Sequence, residues 1–480
     1  MSEWPLPPRP GQREVSERLA ELLSSGSRVL FTAPTGWGKT MATLAALVRG
    51  NLLPAVWMVR SLTLGERVGE DAALWRLTAF TAAGRERTCP LAEELGGSVH
   101  DYCRYFRFKC RYARPPPLTL QAVSYEELVE LGAREGFCPY YAQDMVRADI
   151  IVQSYYRRVP RIARSFVIDE AHNVLMPRER CIRLSQLVEA IDEARRLGAS
   201  EKLVRALSAI VRYALIRDGP LDPKLYLDSV LEEELREVYL EALSSGRARC
   251  MRVLVDLNSA AAAYIEGEKI RVFRPQRQFS FRPALFTSAT LPEGAGRLLQ
   301  VDAEVRVPWR KRLRALIVEH LTTRYDEYDA GMALQYRRLL IDVAKEYRRV
   351  LAFAASERVA RDLRGAATYY EAMPPPSWEG VALFRARSRF SEGIDLPADA
   401  VVLLGCPYLP PGVCSRLAKT YRAMGLQEPV KMAIDAPMLI TTLQCVGRAA
   451  RSPSDEPLVV LADERYRRYI KELEPYLEVA

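Results

Sequence analysis

Short apolar runs alternate with stretches of helical spacing through the first part of the chain, a pattern typical of an α/β fold. Residues 12–23 place apolar side chains three and four positions apart, which predicts an amphipathic helix. An Ala-rich helix is predicted from Lys39 onward. Short buried strands are predicted at 27–32, 55–59, 149–152 and 165–169. Strands that alternate with helices in this way favour a parallel sheet.

The pattern changes in two internal segments. Clean periodicity is lost from about residue 88 to 139, where four cysteines lie. Helical spacing with almost no strand signal then predicts helices at 184–197, 202–216 and 225–243, and hence an inserted helical block. A strand returns at 284–287, and a second α/β series begins after residue 301. Its predicted strands are 350–354, 380–384, 400–405 and 457–462.

Length and composition limit the class of protein. A chain of 480 residues is too long for one compact domain, and its 49% apolar content is enough for sizeable cores. No apolar run is long enough to cross a membrane, and the start has no charged-then-apolar leader, so we expect neither a transmembrane helix nor a signal peptide. The net charge of +9 suits a polyanionic partner. Only three Asn occur, as in thermophiles or in proteins of GC-rich genomes.

A phosphate-binding loop is predicted at residues 33–40, which read Ala-Pro-Thr-Gly-Trp-Gly-Lys-Thr between a predicted strand and a predicted helix. Gly36 and Gly38 let backbone N–H groups approach phosphate oxygens, and the start of a helix favours negative charge. Lys39 is expected to reach the β- and γ-phosphates, and Thr40 to ligate Mg²⁺. The predicted nucleotide-binding loop also includes Thr35 and Trp37.

Two carboxylates follow the apolar run that ends at Ile168, in the sequence Val-Ile-Asp-Glu-Ala-His. Beside a P-loop, Asp169 is expected to bind Mg²⁺, and Glu170 to orient and deprotonate the attacking water. An Asp-Glu pair at the end of a strand is otherwise often a helix N-cap. The P-loop upstream favours the catalytic interpretation.

The second half of the chain offers further candidates for an ATPase site. The sequence 444–451 includes Gln444 and places Arg448 and Arg451 on one predicted helix face, where they are either arginine fingers or a solvated basic surface. Residues 286–290 end a predicted strand with three hydroxyls, which fits a hydrogen-bonded coupling element. In the loop 391–395, Gly393 permits close backbone approach, and Asp395 is a candidate link between ATP and the partner.

Four of the nine cysteines lie in one short segment. Four thiolates suffice for a [4Fe–4S] cluster, and they also suit zinc, although zinc sites usually contain a closer cysteine pair than any found here. Buried reduced thiols are the third alternative, and the remaining five cysteines are expected to be of that kind. The candidate ligands are Cys89, Cys103, Cys110 and Cys138.

Residues 104–114 carry five basic side chains and no acidic one, with aromatic residues interleaved. Phosphate contact combined with base stacking predicts a site for single-stranded nucleic acid, while solvated charges beside aromatics that shield the cysteines are the alternative. A second candidate segment for nucleic-acid contact contains Tyr155 and Tyr156. The candidates in the first segment are Arg104, Tyr105, Arg107, Lys109 and Arg111.

Taken together and in this order, the elements resemble the XPD group of superfamily 2 helicases with a DEAH box. The resemblance rests on Asp-Glu-Ala-His, Thr-Ser-Ala-Thr-Leu, Ser-Glu-Gly-Ile-Asp, Gln-Cys-Val-Gly-Arg-Ala-Ala-Arg and Gly-Cys-Pro-Tyr-Leu-Pro-Pro, and it extends from about Arg9 to Arg465. Gln12 occupies the position of an adenine-contacting Gln, although a Gln that starts a helix is more often a surface residue. The resemblance favours iron–sulfur over zinc, especially through the Cys-Pro-Tyr-Tyr sequence that begins at Cys138.

The resemblance implies two RecA-like parallel-sheet motor domains, the first interrupted by an iron–sulfur insertion and an all-helical arch. The expected boundaries are 1–87, 141–175 and 269–296 for motor domain 1, 88–140 for the iron–sulfur domain, 176–268 for the arch and 297–480 for motor domain 2. The implied cofactors are ATP, Mg²⁺ and a [4Fe–4S] cluster.

The resemblance also implies ATP-driven 5′→3′ translocation on single-stranded DNA and the unwinding of forked duplex, as in DNA repair. We expect a cytoplasmic, nucleoid-associated monomer of a prokaryote, with no membrane partner and with repair partners that the sequence does not specify. The alternatives are an iron–sulfur helicase of the DinG or FANCJ type, and a DNA-binding scaffold with a degenerate motor.

Overall fold

The computed structural model describes residues 4–34, 36–116, 124–308, 312–388, 396–449 and 455–480. Each strand predicted from an apolar run is present, with its ends shifted by at most two residues. In chain order, the strands β1 to β18 are Arg28–Thr32, Ala55–Val59, Ala79–Ala82, Ile150–Ser154, Ser165–Ile168, Arg178–Arg183, Gly219–Leu221, Ala262–Glu266, Lys269–Arg274, Ala284–Ser288, Ala303–Arg306, Leu313–Ile317, Arg349–Ala354, Tyr369–Tyr370, Gly380–Arg385, Ala400–Leu404, Leu458–Ala462 and Leu477–Val479.

The helices connect these strands. Their bounds, α1 to α19, are Gln12–Ser24, Lys39–Arg49, Leu62–Leu74, Arg85–Thr88, Ala92–Leu95, Val99–Phe106, Tyr125–Glu135, Pro139–Ala142, Leu184–Arg196, Glu201–Ile216, Ser229–Ser244, Arg252–Asn258, Ala295–Leu299, Ala330–Glu346, Glu357–Leu363, Pro411–Ala423, Pro429–Ala433, Asp435–Val446 and Ile470–Leu473. None of the helices in the described ranges is both long enough and apolar enough to cross a membrane.

Two seven-stranded parallel sheets form two α/β domains, for which we keep the names motor domain 1 and motor domain 2. The first has the order β11-β1-β10-β5-β2-β4-β3, and the second has the order β14-β15-β13-β16-β17-β12-β18. Each sheet is covered on both faces by apolar clusters, because most of its central strands are almost continuously apolar. The prediction of two α/β units with parallel sheets is confirmed.

The insertion between β5 and β10 is not all-helical, so that part of the prediction is wrong. Helices α9 to α12 pack on a four-stranded antiparallel sheet of order β6-β9-β8-β7. The strands β6 and β9 carry charged side chains on their exposed positions, and β7 has only three residues, so their apolar runs are too short to stand out in the sequence. We call this unit, residues 176–274, the arch insertion.

The strand pairing gives two domain boundaries that differ from the predicted ones. Strand β9 pairs with β6 in register from Lys269 to Arg274, so the arch insertion ends near residue 274 instead of 268. Strand β11 pairs with β1 in the first sheet, so motor domain 1 extends through Arg306 instead of ending at 296. Motor domain 2 then begins with β12.

Helices from motor domain 2 pack on the arch insertion and on motor domain 1. Residues of α16, α17 and α18 share one apolar cluster with β5, β10 and two fully buried arch residues, Ala262 and Phe273. Arg416 on α16 donates to the carbonyl of Leu221 at 2.7 Å and pairs with Asp222 at 3.3 Å. The arch insertion therefore contacts both motor domains.

Candidate active site

The phosphate-binding loop follows β1 at the carboxyl edge of the first sheet, which is the usual position for a ligand in an open parallel sheet. Gly36 and Gly38 have φ values of 77° and 94°, in the left-handed region that favours glycine. A Cβ on Gly38 would also collide with the side-chain nitrogen of Gln12. Helix α2 begins at Lys39, as predicted.

Gln12 is buried and contacts the loop, so the alternative of a surface residue is wrong. Its Nε2 donates to the carbonyl of Trp37 at 2.8 Å, and its Oε1 accepts from the backbone N–H of Arg9 at 2.8 Å. Arg9 in turn donates to the carbonyl of Gly36. The segment before α1 therefore holds the loop by hydrogen bonds that connect residues far apart in the sequence.

The Lys39 ammonium lies over its own loop. Its Nζ donates to the carbonyl oxygens of Ala33 at 3.0 Å and Pro34 at 3.3 Å. Burial lowers the pKa of Lys39, while the carboxylates of Glu170 and Asp169 act to raise it. The P-loop lysine is therefore close enough to the two candidate carboxylates for their charges to act on it, as the ATPase interpretation requires.

Asp169 is held in place by donors from two neighbouring strands. Its Oδ1 accepts from the hydroxyl of Thr287 at 2.7 Å, and its Oδ2 accepts from the indole of Trp57 at 3.3 Å. Burial, and next to it the charge of Glu170, raises the pKa of Asp169. Its fixed carboxylate is suited to a cation, because a bound cation would offset both effects. The contact from Trp57 carried no signal in the sequence.

Glu170 and His172 connect this carboxylate to the end of β10. Glu170 has φ 51°, so the chain turns sharply after β5. Its Oε2 lies 3.2 Å from Nδ1 of His172, which lies 3.1 Å from the hydroxyl of Ser288. Two hydrogen bonds, Thr287 to Asp169 and His172 with Ser288, therefore link the Asp-Glu-Ala-His and Thr-Ser-Ala-Thr sequences, and Glu170 lies in close contact with the same histidine.

The candidates in motor domain 2 are only partly described. Gln444 lies in the last turn of α18, but the helix ends at Val446, so Arg448 lies beyond it and not on a continuous helix face as predicted. The hydrogen bond from the backbone N–H of Arg448 to the carbonyl of Cys445 belongs to the turn after the helix. Four predicted residues, Thr35, Gly393, Asp395 and Arg451, lie outside the described residues.

The four clustered cysteines lie half-buried in one lobe built from α4 to α8. Burial raises the pKa of Cys89 to about 11, and the thiols of Cys138, Cys110 and Cys103 add smaller effects in the same direction. The other three thiols are therefore close enough to Cys89 to affect its pKa. Within the described residues, no three side chains are arranged as ligands around a common point. The donor set fits a thiolate-bound cluster chemically, although its geometry is that of free thiols.

The other five cysteines differ in their environments. Cys406, Cys414 and Cys445 are buried, as predicted. Cys181 is exposed on β6 and Cys250 is half-buried, so the prediction of a buried thiol is wrong for these two. Both lie in the arch insertion.

A cavity of about 470 Å³ lies in the cysteine lobe. Arg107 stacks on the ring of Tyr141 at 3.9 Å, and Arg85 stacks on Tyr140 at 4.2 Å. The Nε of Arg85 is buried without a hydrogen-bond partner among the described residues. The residues that line the cavity are Arg85, His100, Asp101, Cys103, Arg104, Arg107 and Tyr141. Two guanidinium groups held on aromatic rings suit an anion such as a phosphate.

The predicted basic and aromatic segment is not uniform. Arg111 pairs with Glu94 at 2.6 Å, and the ammonium of Lys109 lies 5.4 Å from the ring of Phe106. The ring of Phe108 is 77% exposed and that of Tyr105 37% exposed, so both are accessible to a partner. These aromatics therefore do not all shield the cysteines.

The second candidate segment is divided between core and surface. Tyr155 is buried, and its hydroxyl donates to the carbonyls of Asp169 and Glu170, so the prediction that it contacts DNA is wrong. The hydroxyl supports the turn that carries the two candidate carboxylates instead. Tyr156 is exposed and packs against the guanidinium of Arg178 at 4.4 Å.

Comparisons with known proteins agree with this geometry. Residues 78–195 match the DEAD_2 family model, and residues 356–478 match the model for a helicase C-terminal domain. The chain is 23% identical to the ATP-dependent DNA helicase XPD of Sulfolobus acidocaldarius, over 95% of this chain and 96% of that protein.

Solved structures share the fold along nearly the whole chain. A structure titled XPD_Helicase superposes with a TM-score of 0.68 at 20% identity, covering 98% of this chain and 99% of that one. The S. tokodaii Xpd4 structure gives 0.61 at 17% identity, covering 98% and 100%. The solved structures show a shared fold, and the two family models together with the likeness to an XPD helicase along 95% of this chain identify it as an XPD-like helicase.

Proposed function

We propose that this protein is an ATP-dependent DNA helicase that moves 5′→3′ on single-stranded DNA and unwinds forked duplex, and that it acts as a monomer in DNA repair on the chromosome. The observation that carries the proposal is the set of side-chain contacts that joins the DEAH carboxylates to the end of β10, beside the P-loop in the same sheet. A second parallel sheet in the same chain supplies the opposite wall that a two-domain motor needs.

Each candidate side chain has a separate proposed role in ATP binding or hydrolysis. Lys39 would exchange its two loop carbonyls for the β- and γ-phosphates. Glu170, oriented by His172, would take the proton of the attacking water. Asp169 and Thr40 would hold Mg²⁺, which neutralises phosphate charge when bound. Gln12 would contact the adenine, and Gln444 and Arg448 would act from motor domain 2.

The candidates outside the described residues complete the proposed site. Thr35 would extend the phosphate loop, Arg451 would act beside Arg448, and Gly393 and Asp395 would connect the nucleotide to DNA.

The cysteine lobe would bind a [4Fe–4S] cluster through Cys89, Cys103, Cys110 and Cys138. The donor set supports the proposal, and the bound cluster would cross-link a lobe that otherwise has a small apolar core. Thiols with a raised pKa would lose their protons on binding, so assembly should be favoured by alkaline pH. Iron content of about four per chain supports this assignment, and zinc in a colourless protein contradicts it.

The DNA strand would contact the cysteine lobe. The cavity at Arg85 and Arg107 supplies positive charge for phosphates, and the exposed rings of Tyr105 and Phe108 supply surfaces for stacking. Arg104, Lys109, Arg111 and Tyr156 are the further contacts we propose. Since these contacts read phosphates and ring faces, binding should tolerate any sequence.

Tailed duplexes test the proposal. A substrate with only a 5′ single-stranded tail should be unwound in the presence of ATP, and one with only a 3′ tail should not. Lys39→Ala should abolish both DNA-stimulated ATP hydrolysis and unwinding. Unwinding from the 3′ tail alone would contradict the polarity, and normal ATP turnover by the Lys39 variant would contradict the assigned site.

A further inference from the structure

The peptide group between Thr290 and Leu291, just after β10, makes hydrogen bonds to a side chain of each motor domain. The hydroxyl of Ser288 donates to the carbonyl of Thr290 at 3.3 Å. The N–H of Leu291, at the other end of the same peptide bond, donates to the hydroxyl of Tyr476 at 2.9 Å. That hydroxyl also donates to the carbonyl of Leu291 at 2.7 Å. Tyr476 therefore uses both its donor and its acceptor on the backbone of one residue in motor domain 1.

The backbone of Tyr476 belongs to motor domain 2. Its carbonyl accepts from the N–H of Leu313, the first residue of β12, at 3.0 Å. The next residue, Leu477, begins β18 and pairs in parallel with Leu313. Tyr476 is thus fixed where the chain enters motor domain 2 and where its last strand begins. The ring is 7% exposed, so water does not readily replace the lost partner if one of these bonds breaks.

The other end of the peptide leads to the catalytic carboxylates. Ser288 lies 3.1 Å from His172, whose Nδ1 lies 3.2 Å from Glu170. The neighbouring Thr287 donates to Asp169 at 2.7 Å. A displacement of either carboxylate can therefore be passed through Ser288 to the Thr290–Leu291 peptide, and from there to Tyr476.

We propose that Tyr476 is a positioning residue that couples the ATPase site to the movement of motor domain 2. This inference rests on the proposed function. A Phe would fill the same apolar space, so the coupling depends on the hydroxyl. Two short hydrogen bonds in a buried site are directional and costly to leave unmade, so the peptide cannot move without moving the start of β12 and β18.

The test is Tyr476→Phe in the full-length protein, with Tyr336→Phe as the matched control. Tyr336 is also buried, and its hydroxyl donates to the carbonyl of Ala462 at 2.8 Å within motor domain 2 alone. Each variant loses a buried hydroxyl, but only the first loses a bond between the two motor domains. The assays are base pairs unwound per ATP hydrolysed, and amide hydrogen exchange in β18 with and without a non-hydrolysable ATP analogue.

We expect Tyr476→Phe to lower the number of base pairs unwound per ATP by about threefold or more, because the hydrogen bonds that the hydroxyl makes to the backbone of Leu291 connect the two domains. Tyr336→Phe should keep the wild-type ratio even if its melting temperature falls. In the wild type the nucleotide analogue should change exchange in β18, and in Tyr476→Phe it should not. A wild-type ratio and a wild-type exchange response in Tyr476→Phe would overturn the proposal, as would equal losses in the two variants.

Two further measurements keep the test decisive. If Tyr476→Phe does not fold, Ser288→Ala releases the opposite end of the same peptide and should lower the ratio as well, and a wild-type ratio in that variant would overturn the proposal. If the wild type hydrolyses ATP without unwinding, the proposed function fails. The exchange response of β18 then decides the coupling on its own.

Discussion

The basic residues of the cysteine lobe should contribute unequally to DNA affinity. Arg107 lines the cavity and stacks on Tyr141, without a carboxylate partner among the described residues. Arg111, four positions along the chain, is paired with Glu94 at 2.6 Å on the surface. Replacing each by Ala removes the same charge, so the pair of variants separates an available guanidinium from one that is already partly neutralised.

The expected magnitude follows from counterion release. One phosphate contact on single-stranded DNA contributes about 0.7 to the slope of log affinity against log salt concentration, so its loss lowers the affinity about 2.6-fold more at 50 mM than at 200 mM salt. Arg107→Ala should show this change in slope when binding to a fluorescent oligonucleotide is titrated across salt concentrations. Arg111→Ala should show a distinctly smaller change, because Glu94 already neutralises part of the charge of Arg111 and less of it is available to a phosphate. Equal slopes for the two variants would refute the assignment of the cavity as a phosphate site.

Three further substitutions test packing, loop geometry and the carboxylate environment. Asp256 is buried among Arg180, Arg252 and Arg274, so Asp256→Ala should lower the free energy of unfolding by about 3 kcal/mol in thermal or denaturant unfolding. Asp192 belongs to an exposed ion pair, so Asp192→Ala should lower it by less than about 0.5 kcal/mol. Similar losses in the two variants would contradict the role of burial. Gly38→Ala should abolish ATP binding, measured with a fluorescent analogue, because φ 94° and the neighbouring glutamine amide both exclude a Cβ; retained affinity would be evidence against this loop geometry. Thr287→Val removes a hydrogen bond that lowers the pKa of Asp169, so the acid limb of the ATPase pH profile should move to higher pH. Thr287→Ser keeps a hydroxyl and should keep the wild-type profile. Identical profiles for both variants would contradict the assignment of Asp169 to the ATPase site.

The sequence by itself determined the local elements and the chemistry that each carries. The buried strands of both sheets are continuous apolar runs, and the P-loop and the DEAH box are contiguous segments whose residue types are fixed by what phosphate and water activation require. The four cysteines and the basic segment were visible for the same reason. Such features depend on neighbours within a few positions, so they can be inferred without knowing the fold.

Contacts between distant segments were decided only by the tertiary structure. The burial of Tyr155 beneath the turn at Asp169 and Glu170, the pairing of Arg111 with Glu94 and the hydrogen bonds between Tyr476 and Leu291 each join residues that have no local pattern in common. The antiparallel sheet of the arch insertion was missed because its strands are short and mostly polar on one face, and they become stable only when they pair. Hydrogen bonds and ion pairs form wherever packing brings the two groups together, and packing is a property of the whole chain.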